Sequence, residues 1–289
     1  MIKIKKAIIP VAGLGTRFLP YTKAVPKEML PILDIPAIHL IIEEALASGI
    51  DEILFVTSQG KESIENYFKR DFDLEMHLKK KKKHDILKEL ARVPYNFTRK
   101  SVIQTEAKGL GDAILHGEHF ARGEYFAVFL PDDLIISKKP AMKQLIDAAK
   151  KNNKPVLAVE RVAKNMVSSY GIIKPEKAGK RLYEVKDMAE KPKISEAFSN
   201  LGIVGRYVLP PSVFEFIRMT KPGAKGEIQL TDALRMVMAE EGMLACEFEG
   251  LRCDTGDKYE YILTVLKYAY HDKFLRKRIR KDVKKIMKL

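Results

Sequence analysis

Residues 4–36 read IKKAIIPVAGLGTRFLPYTKAVPKEMLPILDIP, and the reading of the whole chain follows from this stretch. Ile4 to Ala12 is a short, largely apolar run that ends in glycine, the pattern of a buried strand feeding a loop. The loop Val11-Ala-Gly-Leu-Gly-Thr-Arg17 comes next. Glycine lets a backbone pass close to a phosphate, and successive N–H groups can form an anion-binding nest. Two related motifs are excluded. A Walker loop needs GxxxxGK[ST], which does not occur in the chain. The dinucleotide fingerprint needs a third glycine and a helix opening behind it. Phe18 occupies the third position, and Pro20, Pro26, Pro31 and Pro36 cannot sit in a crossover helix. Residues 16–36 are therefore expected to be an extended loop over the sheet edge that carries Arg17, Lys23 and Lys27. A glycine turn followed by fixed cations suits a triphosphate better than a hydride cofactor.

Outward from this loop, short apolar strands alternate with helices. Ile38 to Ser48 has helical spacing and stops at Gly49. Ile53 to Thr57 reads as a second buried strand, Ser101 to Thr105 and Tyr125 to Leu130 as a third and fourth strand, and Glu62 to Phe68 and Leu110 to Phe120 as helices. That alternation implies crossover units and a parallel sheet, whose ligands bind beyond the carboxyl ends of the strands. The Ala12 loop and the Asp132–Asp133 pair both lie at such ends. Arg70 to Lys100 is charged and interrupts the alternation, as a helical surface insertion would. Beyond Val156 the strands (Val156–Glu160, Tyr170–Ile173, Arg181–Met188, Gly202–Leu209) are less regularly separated, so mixed α+β structure is expected there. Glu227 to Glu240 and Lys258 to Tyr270 read as helices. Lys273 to Leu289 reads as a basic amphipathic helix with Phe274, Leu275, Ile279, Val283, Ile286 and Met287 on one side.

Composition narrows the function. With 289 residues and 46% apolar content the chain can bury a sizeable core. The net charge of +14 suggests an anionic partner. Lys79–Lys83 supply five of those charges, and residues 271–289 supply seven, from nine Lys/Arg against Asp272 and Asp282. The body between them is nearly neutral, whereas a nucleic-acid-binding protein would spread its charge over a reading surface. Nucleic acid is therefore not the expected partner. Cys246 and Cys253 cannot make a disulfide framework or a CxxC zinc site, which points to a reducing, cytoplasmic setting. No apolar stretch is long enough to span a bilayer.

The segment VAGLGTRFLPYTKAVPKEMLPI (11–32) resembles the sugar-1-phosphate nucleotidylyltransferases. KGLGDA (108–113), FLPDD (129–133), SYGIIKP (169–175), AEKP (189–192), NLGIVGRYVLPP (200–211), GEIQLTDAL (226–234) and DTG (254–256) extend the resemblance in family order over residues 3–270. It implies a Rossmann-like three-layer α/β fold of glycosyltransferase-A type, with a mostly parallel central sheet and a C-terminal helical extension. Residues 1–271 would form the catalytic domain, with 70–100 as its Lys-rich insertion, and 272–289 the basic helix. The implied activity transfers UMP from UTP to glucose 1-phosphate with Mg²⁺; a relative using dTTP or another sugar 1-phosphate is the alternative. The family also suggests a homo-oligomer.

The same resemblance assigns roles. Arg17 and Lys27 would meet the triphosphate, and Asp132 and Asp254 would hold Mg²⁺, a hard cation that takes carboxylates and phosphate oxygens. Asp133 would support the turn. Ala12, Gly13, Gly15, Thr16, Gln104 and Gly109 would bind the nucleotide, the Gln104 amide matching the donor and acceptor edge of a base. Ile103 stands where the family often has arginine. Gly171, Glu190, Lys191, Val204 and Gly205 would bind the sugar phosphate, with Lys191 also in the catalytic set. None of the six histidines has catalytic or metal spacing.

Overall fold

In the computed structural model, which describes residues 2–223 and 226–286, the run before the glycine loop forms strand β1 (Lys6–Pro10). Next come β2 (Pro31–Ile32), β3 (Ile35–Pro36), β4 (Glu52–Thr57), β5 (Thr98–Ile103), β6 (Phe126–Phe129) and β7 (Asp133–Ile136). The second half contributes β8 (Val156–Arg161), β9 (Gly171–Lys177), β10 (Leu182–Glu190), β11 (Leu201–Leu209), β12 (Leu244–Glu247) and β13 (Leu251–Asp254). Among the described residues nine of these make one sheet in the order β5-β4-β1-β6-β11-β8-β12-β10-β9. β5, β4, β1 and β6 run parallel. β11 is antiparallel to both of its neighbours in that order, β12 is parallel to β8, and β10 is antiparallel to β12 and β9. Only β10 and β11 are reversed, so the sheet is mostly parallel.

β1 shows why the apolar run is continuous rather than alternating. Ala7 and Ile9 pack on one face of the sheet and Ile8 on the other, so both faces are buried. Helices α1 (Ala37–Ala47) and α7 (Ala141–Asn152) cover the first face. The second is covered by α5 (Leu110–Leu115), α8 (Val213–Met219) and α9 (Leu230–Glu241), with Phe126 stacked on Phe214 at 5.1 Å. The remaining helices are α2 (Glu62–Tyr67), α3 (Phe72–Lys80), α4 (His84–Leu90), α6 (Glu118–Ala121), α10 (Lys258–His271) and α11 (Leu275–Ile286). The result is a three-layer α/β arrangement.

Several expectations are corrected. The segment 16–36 is not extended but folds into three 3₁₀ turns, preceded in order by Gly15, Pro20 and Pro26, and then the β2–β3 hairpin. Proline fixes φ and lacks an N–H, so it breaks helices yet fits the position that opens a turn. The helix expected over Leu110–Phe120 is two helices, parted at His116–Gly117. A Cβ at Gly117 would lie 2.2 Å from Ile8 Cδ1, so the chain passes too close to β1 to carry a side chain there. Helix α9 begins at Leu230 rather than Glu227. Among the described residues, two helices, α7 and α8, lie outside the segments assigned from sequence. Ala141, Met142, Leu145, Ile146 and Ala149 of α7 do have helical spacing and are all buried, whereas α8 is too short for its period to register. Of the expected C-terminal helix, Met287 to Leu289 lie outside the described residues.

Candidate active site

The glycine loop leaves the end of β1 with its carbonyls turned inward. Lys61 Nζ donates to the carbonyl of Val11, to that of Gly13 at 2.6 Å, and to Glu28 Oε2 at 3.0 Å. Two loop carbonyls are thus tied to Lys61, while the N–H groups of residues 12–15 are left without a partner within the described residues. Burial pushes the Glu28 carboxyl up and the Lys61 ammonium down, and each is partly restored by the other's charge.

The third 3₁₀ turn delivers Lys27 to Asp132, Nζ to Oδ2 at 2.7 Å. Burial lowers Lys27, but the Asp132 and Glu28 carboxylates outweigh it and hold the ammonium above its ordinary value. Burial likewise raises Asp132, and Lys27 more than reverses it. Both shifts favour the charged pair. Asp132 lies between β6 and β7, and β7 pairs antiparallel with β13 so that Asp254 stands opposite Asp133. Thr255 N and Oγ1 both donate to the Asp132 carbonyl, at 2.8 and 3.1 Å, which sets the Asp132 and Asp254 turns side by side. Asp257 then caps α10, accepting from Tyr259 N at 2.9 Å and Glu260 N at 3.0 Å. Thr264 of that helix donates back to the Asp254 carbonyl at 2.7 Å. Burial, with Asp133 and Asp132 nearby, pushes the Asp254 carboxyl up to about 6 despite Arg252.

Arg252 had no assignment from sequence and is the electrostatic hub of the site. Its Nε bonds Asp133 Oδ1, NH1 reaches Glu160 at 3.0 Å and the Tyr170 hydroxyl at 2.9 Å, and NH2 reaches Asp254 at 2.8 Å. The signal that could have found it is strand periodicity, because Arg252 lies two residues before Asp254 and so on the same face of β13. Asp133 also accepts from Gly205 N at 2.8 Å, which makes it a support for the strand ends. Behind them Arg206, fully buried, donates to the carbonyls of Leu130, Gly205 and Asp133 and pairs with Glu44 at 2.8 Å.

β9 and β10 pair with Gly171 opposite Glu190. Glu190 Oε2 accepts from Thr231 Oγ1 at 2.6 Å, and Oε1 pairs with Lys191 Nζ at 2.7 Å. A Cβ at Gly171 would sit 3.1 Å from Ile203 Cδ1 and 3.2 Å from Glu190 Oε2, so glycine keeps this platform flat. One cavity of about 790 Å³ brings together Arg17, Asp132, Asp254, Gly171, Glu190 and Lys191. Gly205 lines it through its backbone, but the Val204 side chain is fully buried under α1 and α7 and cannot reach a ligand. Strand alternation sends that side chain to the core, which leaves only the Val204 backbone for the expected sugar contact. Arg17 reaches across to the Gly256 carbonyl at 3.3 Å, and Lys23 is exposed. Thr16 opens the first turn, next to the loop of Ala12, Gly13 and Gly15. Gln104 follows β5, and its Nε2 donates to Asp112 Oδ2 at 2.7 Å and the Gly109 carbonyl at 3.5 Å. Gly109 adopts φ +97°, and a Cβ there would come within 2.9 Å of the Ile228 carbonyl.

Comparison with known proteins identifies the family and the fold. The nucleotidyl transferase family matches residues 6–270. UTP–glucose-1-phosphate uridylyltransferase 2 of Staphylococcus saprophyticus subsp. saprophyticus is 46% identical over 292 aligned residues, covering 99% of each chain. Among solved structures, a UDP-glucose pyrophosphorylase complexed with UDP-glucose has a TM-score of 0.85 at 41% identity, over 93% of this chain and 100% of that one. The UTP-bound UGPase from Acinetobacter baumannii has a TM-score of 0.89 at 37% identity, over 97% and 99% of the two chains.

Proposed function

The chain belongs to the nucleotidyl transferase family, and from that premise we propose that it transfers the uridylyl group of UTP to glucose 1-phosphate, giving UDP-glucose and pyrophosphate. The observation that carries this reading is the shared cavity in which Asp132 and Asp254 stand beside the Gly171–Glu190–Lys191 platform. A phosphate oxygen of the sugar phosphate attacks the α-phosphorus of UTP, the bond from that phosphorus to the pyrophosphate bridging oxygen breaks, and pyrophosphate departs. The nucleophile is already an anion, so no strong base is required. The protein's work is to bring anions together and compensate charge.

The N–H groups of residues 12–15 cradle the phosphates, and Arg17, with its planar fork, bridges phosphate oxygens. Lys27 meets the charge at the α-phosphate. Gln104, whose Nε2 is engaged by Asp112, offers Oε1 to the imide N–H of uracil beside the backbone of Ala12, Gly13 and Gly109. Glu190 accepts from sugar hydroxyls, with one oxygen steadied by Thr231, and Lys191 meets the sugar phosphate.

The donor set suits Mg²⁺. Asp132 and Asp254 are hard oxygen ligands, and burial first, then the neighbouring Asp133 and Asp132 carboxylates, raise the Asp254 carboxyl, a cost to its charged form that a bound cation would offset. No cluster of three or more His, Cys, Asp or Glu among the described residues could hold a metal, so the cation would share these two carboxylates with substrate phosphates. When bound, Mg²⁺ would neutralise charge developing on the α-phosphate and the leaving pyrophosphate. The reading includes a cytoplasmic setting, supported by two free, buried cysteines, and a homo-oligomer, supported by the family. No helix among the described residues is long and apolar enough to cross a membrane.

The test is pyrophosphate release with each pairing of UTP or dTTP with glucose 1-phosphate or galactose 1-phosphate. UTP with glucose 1-phosphate should give the highest kcat/KM. A clear preference for dTTP would overturn the substrate assignment while leaving the reaction class standing.

A further inference from the structure

We propose that α11, with the Phe274 that introduces it, is a docking surface for an anionic lipid bilayer. Leu275, Ile279 and Val283 recur every four residues along one side of α11 and are half-buried, on a helix that packs against α10. Lys273, Arg276, Lys277, Arg280 and Lys281 instead line a shallow surface depression of about 550 Å³. Asp282 is the one acidic residue within Leu275–Ile286. The catalytic body carries little net charge outside the Lys79–Lys83 run, so the positive field is concentrated at this end of the chain.

Phe274 decides between possible partners. Asp272 Oδ1 accepts from Phe274 N at 2.8 Å and Leu275 N at 2.7 Å, which fixes the start of the helix. Phe274 is left 87% exposed, next in the chain to Lys273 and one residue before the helix that carries the other cations. Nearby, Arg276 lies over the half-exposed Tyr270 ring at 5.0 Å. An anionic membrane interface takes up both kinds of group, cations against headgroups and aromatic rings at headgroup depth. A nucleic-acid backbone would engage only the cations. A second copy docked through this face by a two-fold axis would set like charge against like. Helix α10 has 14 residues, so the surface stands roughly 20 Å of helix away from the Asp254 turn.

The experiment is sedimentation of the full-length protein with vesicles of phosphatidylcholine alone or with anionic phosphatidylglycerol. Three full-length variants are compared: Arg276→Gln/Lys277→Gln/Arg280→Gln/Lys281→Gln, Phe274→Ser, and a control with Lys79–Lys83 changed to serine. Binding should require phosphatidylglycerol and should fall away as salt approaches about 0.5 M. It should drop about fivefold for each cation removed, hence more than about 100-fold in the quadruple variant, and about tenfold in Phe274→Ser. The control should bind as the parent does, and turnover should be unchanged in all three. Equal binding to both kinds of vesicle, or full binding by the quadruple variant, would overturn the proposal. So would tighter binding to duplex DNA at the same salt that is indifferent to Phe274→Ser. So would a change of oligomeric state in the quadruple variant where the parent binds no vesicles. The salt and lipid dependence of the parent decides the matter even if a variant fails to fold.

Discussion

Replacing Arg252 by methionine tests whether the site's carboxylates depend on one cation. The guanidinium, 12% exposed, holds Asp133, Glu160 and Asp254, whose side chains are 9%, 29% and 27% exposed. Hydrogen bonds to charged groups contribute about 1.5–3 kcal/mol each, so the three contacts set an upper bound of roughly 5–9 kcal/mol. That bound is not reached, because carboxyls left without a cation can take up protons. Breaking a buried pair by removing one partner costs about 3–5 kcal/mol, which is the expected deficit near pH 8. It corresponds to a fall in Tm of roughly 5–8 °C for a chain of this size. The sign of the pH dependence follows from Glu160. Burial already raises its carboxyl above the ordinary value, against the pull of Arg252. Removing that cation raises it further. A carboxyl whose folded pKa exceeds its unfolded one contributes stability below the unfolded value and loses it as pH rises through the folded value. The deficit should therefore be smaller at pH 5 than at pH 8, as read by denaturant unfolding of both proteins at each pH. Arg252→Lys, which keeps the charge but not the fork, should fall between them. A deficit below about 1 kcal/mol at pH 8, or one of equal size at both pH values, would refute the hub role.

Asp132→Asn keeps the shape of the side chain beside Lys27 but removes the charge that a divalent cation needs. kcat/KM should fall about 10³-fold or more with circular dichroism unchanged, and near-normal turnover would remove Asp132 from the mechanism. Glu190→Ala should raise the KM for glucose 1-phosphate by about 10–100-fold and that for UTP far less; equal effects on both would sink the sugar role. At alkaline pH, burial pushes the Tyr67 and Tyr125 hydroxyls up to about 12 and the Cys246 thiol up to about 11. Groups raised in this way contribute stability below their unfolded values and lose it above them, so Tm should fall progressively from about pH 9 upward. Native Cys246 should also react slowly with a disulfide reagent at pH 8, and rapid labelling would contradict its burial.

Much of the fold was legible because the signals are local. The run ending at Pro10, the glycine loop and the 37–47 helix all follow from apolar period and turn residues, which neighbours in the chain impose on one another. The same holds for Asp132 and Gln104, each placed beyond the end of a strand. Prolines in 16–36 were legible as an absence of helix, but not as three successive turns, because turn closure depends on what the loop packs against. The split of the 110–120 helix escaped for a similar reason, since the close approach of Gly117 to Ile8 is a contact between distant segments.

The sequence by itself determined the layered α/β class, the position of the glycine loop after β1 and the charged residues proposed to handle anions. Only the tertiary structure decided how those residues are held. Lys61 lies 33 residues from Glu28, and Arg252 lies 119 residues from Asp133. Strand alternation can set Arg252 on the face of Asp254, but no periodicity links positions as far apart as Arg252 and Asp133 or Lys61 and Glu28. Val204 makes the converse point. Its motif implied a place beside the sugar, but strand alternation turned its side chain into the core and left only its backbone for that role, a direction set by the pairing of β11 with its neighbours and not by the motif.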